Sequence, residues 1–165
     1  MKGITLVGMP GSGKSTVGQI LAKQLGWNFV DLDILIKEKI GKTHQEILEE
    51  QGEKEFIKLE GKLTTVLNFE NTVFSPGGSI IYSEDAIEKL RNETEIFYLN
   101  LPLQEIKKRL GEGIDYRGIV GLKEKGIEAL FEERVPAYKS CAHHTLDCHG
   151  FDEKKIAEGI LWLIS

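Results

Sequence analysis

Residues 8–16 read GMPGSGKST, in which Gly8, Gly13, Lys14 and Ser15 fill the pattern G-x-x-x-x-G-K-[ST]. Glycines at 8, 11 and 13 let the backbone curl so that successive N–H groups point inward at an anion, and a following helix would add its positive N-terminus. A lysine and a hydroxyl at the end of such a loop suit a triphosphate, with Lys14 on the β- and γ-phosphates and Ser15 on Mg²⁺. A dinucleotide fingerprint is excluded because G-x-G-x-x-G begun at Gly11 needs glycine at 16 and meets Thr16.

Further groups of the right chemistry follow. FVDLD (29–33) ends in Asp31 and Asp33, two carboxylates at a strand's end; one could hold Mg²⁺ through water while the other takes a proton from an attacking hydroxyl. Spacing alone also fits two acidic residues capping the next helix. SPGGS (75–79) gives paired glycines where a ligand could approach the backbone, or an ordinary tight turn. Of 21 basic residues only Arg91, Arg109, Arg117 and Arg134 are arginine, so the few guanidinium groups fit planar recognition of phosphate or carboxylate. Asp115-Tyr116-Arg117-Gly118 has the D-x-x-G form of a GTPase, but it follows no strand and no N-K-x-D accompanies it.

These groups need a scaffold, and the sequence supplies an alternating one. Runs at 3–8, 28–31, 72–75, 95–101 and 144–148 read as strands, several of them apolar throughout as strands covered on both faces would be. Segments of helical period lie between them, clearest at 14–25 (Val17, Ile20, Leu21, Leu25) and 152–164 (Ile156, Ile160, Leu163, Ile164). Gly26 suits a helix end and Pro102 a first turn. Such alternation predicts an α/β fold, a parallel sheet between helices, in one domain over 165 residues with 41% hydrophobic content.

A net charge of −5 argues against nucleic acid as a partner, and the apolar runs are too short for a leader or a membrane span. The expectation is a cytoplasmic protein, monomeric, with Cys141 and Cys148 as free thiols. CAHHTLDCH (141–149) offers two Cys and three His, but alternate side chains of a strand point to opposite faces and do not converge on zinc.

The loop GMPGSGKST, FVDLD, GEKEFIKLE (52–60), the GGS after the third strand, the Arg109 and Arg117 pair, and RVPAY (134–138) together resemble the shikimate kinases over essentially the whole chain. The resemblance implies a three-layer P-loop fold like that of nucleoside monophosphate kinases, with a five-stranded parallel sheet in the order 2-3-1-4-5. It also implies substrate-binding helices at about 33–61 and a lid at about 111–121. The implied activity is transfer of the γ-phosphoryl group of MgATP to a hydroxyl of a small metabolite, shikimate first. Alternatives are a related kinase for another polyol, cyclitol or sugar acid, and a nucleotide-binding regulatory protein without turnover.

Carried over by position, Gly11, Ser12, Gly13, Lys14, Ser15 and Thr16 hold the nucleotide, and Ser15 and Asp31 look like the metal-site residues. Arg109 resembles the residue stacked on adenine and Arg117 the lid arginine on the transferring phosphate. Asp33 resembles the residue that orients the acceptor hydroxyl, Gly77 and Gly78 the substrate-contacting glycines, with Ser79 in place of a third, and Arg134 one arginine of a carboxylate clamp.

Three departures matter. Ser79 in place of the third glycine narrows the floor of the site. The lid pattern R-P-L-L is replaced by Arg117-Gly118-Ile119-Val120, and the clamp's second arginine, expected after Phe56, is Ile57. Lys58 cannot inherit its direction, since one residue turns a helix by about 100°. Taking Phe56, Leu59, Leu63, Val66 and Leu67 as the core stripe leaves Ile57 off it, so the expectation is an apolar wall on the substrate cavity. The competing expectation packs Ile57 under a neighbouring helix, with another cation serving the acceptor.

Overall fold

The structure is a computed structural model that describes residues 2–111 and 118–165. The five strands are β1 (Gly3–Val7), β2 (Asn28–Asp31), β3 (Thr72–Ser75), β4 (Thr94–Asn100) and β5 (His144–Asp147). All pair in parallel in the order β2-β3-β1-β4-β5. β1 and β3 are buried at every residue, which is why their sequences carry no polar alternation.

The helices are α1 (Lys14–Leu25), α2 (Leu32–Ile40), α3 (His44–Gln51), α4 (Glu53–Thr65), α5 (Glu84–Glu93), α6 (Leu103–Leu110), α7 (Leu122–Cys141) and α8 (Glu153–Ile164). From β1 the chain crosses through α1 to β2, toward one edge. Every later crossover runs the opposite way. Right-handed connections therefore put α1 on one face and the helices joining β2, β3, β4 and β5 on the other. α8 returns to pack on α1, closing the three layers.

Two expected apolar stripes differ from the observed faces. α4 turns Phe56, Glu60, Gly61 and Thr64 inward, while Val66 is 74% exposed because the helix ends at Thr65 and Val66 is its cap. α8 buries Ile156, Ala157 and Ile160, and Leu163 and Ile164 stay exposed in its last turn. Among the described residues no helix is long and apolar enough to cross a membrane.

Candidate functional site

The loop between β1 and α1 curls as its glycines allow. Gly13, at φ 90°, is the residue before α1, a left-handed conformation that a side chain would strain. Lys14 opens the helix and turns back into the loop, its Nζ donating to the carbonyls of Gly8 (3.0 Å) and Met9 (2.9 Å). Burial pulls its pKa down to about 8, against the raising field of Asp33. An ammonium so desolvated gains most from an anion that replaces its lost water.

Asp31 closes β2 and caps α2, its Oδ1 accepting from the backbone N–H groups of Asp33 (2.9 Å) and Ile34 (3.3 Å). Asp31 is therefore a helix cap, as one alternative had it, and its Oδ2 is left to accept from Ser15 Oγ at 2.5 Å. Ser75 Oγ stands 3.4 Å from Ser15 Oγ. Hydroxyls and a carboxylate are hard oxygen donors of the kind that Mg²⁺ takes.

Asp33 lies in the first turn of α2 rather than on the strand. Its side chain is 55% exposed toward the cavity, yet surrounding protein still crowds the carboxyl. That desolvation pushes its pKa upward, opposed by the nearby His44.

The cavity of about 390 Å³ runs from this loop to the helices after β2. Its lining includes Gly11, Gly13, Lys14, Ser15, Thr16, Asp31, Asp33, Gly77, Gly78, Ser79 and Arg134, so these expected residues come together. Gly78 opens a 3-10 turn (Gly78–Tyr82) where a Cβ would stand 2.8 Å from Arg134 Nη1 and 2.9 Å from the Tyr138 hydroxyl. Arg134 is only 1% exposed, donates from Nη2 to Val120 O (2.7 Å) and lies over the Tyr82 ring.

Other expected residues stand apart. Ser12 is buried, and its Oγ has no hydrogen-bond partner among the described residues. Arg109 is beside Gly13, bonded to Glu105 (2.9 Å) and near Glu153 (3.6 Å), next to a groove lined by His149 and Gly150. Arg117 lies outside the described residues, as does most of the expected lid, though Gly118, Ile119 and Val120 line the cavity. Cys141 and Cys148 are buried and free.

Ile57 requires a correction. It is half-buried against the apolar core and is not part of the cavity lining; its neighbour Phe56 takes that place, and Lys58 pairs outward with Glu55. The apolar wall expected at 57 is therefore the ring of Phe56.

Two titratable lining residues escaped the sequence reading. Glu60 is one helical turn beyond Phe56 on the buried face, so i, i+4 spacing from a core aromatic was the available signal. His44 stands just inside the helix start marked by the capping box Thr43 and Glu46.

Glu60 is 1% exposed, and Ser79 Oγ lies 2.9 and 2.7 Å from its two carboxyl oxygens. Burial pushes its pKa up to about 8, with the Ser79 hydrogen bond and Arg134 pulling the other way. The folded state therefore holds a proton that the unfolded chain releases near 4.5, and this stabilisation is lost as pH rises from about 5 through 8. Glu60→Gln, neutral at every pH, should gain on the wild type across that window by up to roughly 4 kcal/mol. Thermal melting at pH 5 and 8.5 checks it, with a gap opening only at the higher pH.

The family model described as shikimate kinase matches residues 10–165. The chain belongs to the shikimate kinase family. A shikimate kinase of Sulfurihydrogenibium sp. is 39% identical over 140 residues, 84% of each chain, and that of Enterococcus faecalis 32% identical over 163 residues, 98% of this chain and 97% of its own. Among solved structures, a shikimate kinase from Acinetobacter baumannii in complex with shikimate superposes with a TM-score of 0.87 at 31% identity, covering 99% of this chain and 93% of the other. Shikimate kinase from Aquifex aeolicus follows with a TM-score of 0.83 at 28% identity, covering 98% and 95%. As a member of the shikimate kinase family the chain is an ATP-dependent kinase, and the sheet order expected from the resemblance is the one observed.

Proposed function

We propose that the protein transfers the γ-phosphoryl group of MgATP to a hydroxyl of shikimate. The observation that carries this reading is the continuity of one cavity from the phosphate loop to Asp33, Gly78 and Arg134. A nucleotide on the loop and a small acid beside Asp33 would then share one chamber.

In this reading the N–H groups of Gly11, Ser12, Gly13 and Thr16 and the Lys14 ammonium hold the phosphates, and Arg109 covers the adenine. Ser15 and Asp31 hold Mg²⁺, which when bound neutralises charge on the phosphate oxygens. Asp33 orients the acceptor hydroxyl and accepts its proton at a carboxylate oxygen, its upward-shifted pKa bringing it nearer the range of a working base. Gly77 and Gly78 form the floor, and Arg134 pairs with the acceptor carboxylate. The helices over 33–61 form the acceptor side of a single kinase domain. The segment 111–121 is the lid, with Arg117 on the transferring phosphate, closing to exclude water. A cytoplasmic monomer completes the reading.

ADP release with ATP, Mg²⁺ and shikimate tests it, against a panel of neutral and acidic polyols. Turnover of shikimate well above the rest is expected. A different acid preferred at saturating ATP would favour the related-kinase reading, toward which the missing cation at position 57 points.

A further inference from the structure

His44 is the second residue that the cavity brings to Asp33, and its surroundings are unusually determined. The capping box fixes the start of α3, with Thr43 and Glu46 satisfying each other's backbone, so the backbone of His44 is pinned in the first turn. The ring packs edge-on against Phe56 at 4.8 Å. Gly118 lies so close that a Cβ on it would stand 2.5 Å from His44 Cβ. The capping box and Gly118 fix the backbone and Cβ of His44, and Phe56 packs against its ring.

What that placement achieves is not a hydrogen bond already made. Nε2 is shut off from solvent and has no hydrogen-bond partner among the described residues, while it faces Asp33 Oδ1 at 3.4 Å. A buried ring nitrogen left unpaired costs free energy, which a small reorientation of the Asp33 carboxyl toward it would recover. Oδ1 is also hemmed in by Gly77, where a Cβ would stand 3.4 Å away. The Asp33 side chain makes no other side-chain contact of this kind among the described residues.

We propose that His44 is a positioning residue for Asp33: its Nε2–H donates to Oδ1 when the acceptor is bound, leaving Oδ2 directed at the acceptor hydroxyl. Catalytic hydrogen bonds that are long in the empty protein commonly tighten in the loaded one. Orienting one oxygen of a carboxylate also raises the fraction of encounters in which the hydroxyl is correctly held. This inference rests on the role given to Asp33 in the proposed function.

The test is a double-mutant cycle read as kcat for shikimate, with the KM for ATP as control. His44→Phe keeps the ring against Phe56 and removes the donor; it is expected to lower kcat about 10- to 30-fold with the KM for ATP changed by less than about twofold. His44→Gln, which keeps a donor, should recover a large part of that loss. In an Asp33→Asn background the same His44→Phe should cost less than about threefold, because the two residues act as one unit. Equal losses in both backgrounds, or none in the wild type, overturn the assignment. His44→Leu supplies the same cycle if the phenylalanine variant does not fold. Asp33→Asn with undiminished kcat would instead overturn the role of Asp33 and, with it, this inference.

Discussion

Asp33→Asn should lower kcat for shikimate by roughly 10²- to 10⁴-fold while ATP affinity stays within about threefold of wild type. The substitution is nearly isosteric, so it leaves the first turn of α2 intact; the Asp33 backbone N–H, not its side chain, bonds to Asp31. What it removes is the charge and the proton acceptor. The Asp33 carboxyl is held above its ordinary range by crowding, and His44 draws it back down. Phosphoryl transfer has a loose transition state in which the hydroxyl proton leaves late, so the size of the effect is informative. A loss under about tenfold would mean that Asp33 orients the hydroxyl without acting as its base. Steady-state kinetics beside equilibrium binding of ADP separates that outcome from a nucleotide defect.

The scaffold was legible because its signals are local. β3 occupies 72–75 as expected, a strand buried at every residue, and α1 spans 14–25 because the glycine loop fixes where the first helix begins. β2 occupies 28–31 as expected, but as an edge strand with no fully buried residue rather than one covered on both faces. Most of the nucleotide side was legible for the same reason: one continuous stretch, Gly8–Thr16, carries the loop's chemistry. The sheet order came through the family resemblance, not through periodicity.

The acceptor side was less legible, because it is assembled from α2, α3, α4, the turn after β3 and α7. A helical wheel weighted by apolar residues drew the α4 stripe through Phe56, Leu59, Leu63, Val66 and Leu67 and gave Glu60 no part in it. The fold instead buries Glu60, since Ser79 supplies a hydroxyl and protonation removes the charge. The same displacement of the stripe takes Ile57 off the cavity. A cation at 57 would stand three residues from Glu60, within reach on a helix, so the isoleucine also leaves this acid without a countercharge from its own helix. Ser79, first met as a missing glycine, is the partner that makes this tolerable.

On the proposed reading, with no cation at 57, acceptor recognition falls on Arg134, and its removal should leave ATP binding little changed. Arg134 is the only guanidinium lining the cavity among the described residues; Lys14, the other cation there, is turned to the phosphate loop. Replacing it leaves the Asp33 carboxyl and no guanidinium facing an incoming carboxylate. Arg134→Met, similar in length but uncharged, should raise the KM for shikimate about 10²-fold or more, with the KM for ATP within about threefold. Arg134→Lys separates recognition from architecture: it keeps the charge but loses the planar fork that spans Val120 O and the Tyr82 hydroxyl, so it should fall between the two. If the lysine variant melts with the methionine variant yet binds shikimate like the wild type, charge is what the acceptor reads. If both lose acceptor affinity equally, the fork geometry is the recognition element, and the single arginine does through two-pronged contact what the missing partner at 57 would otherwise share.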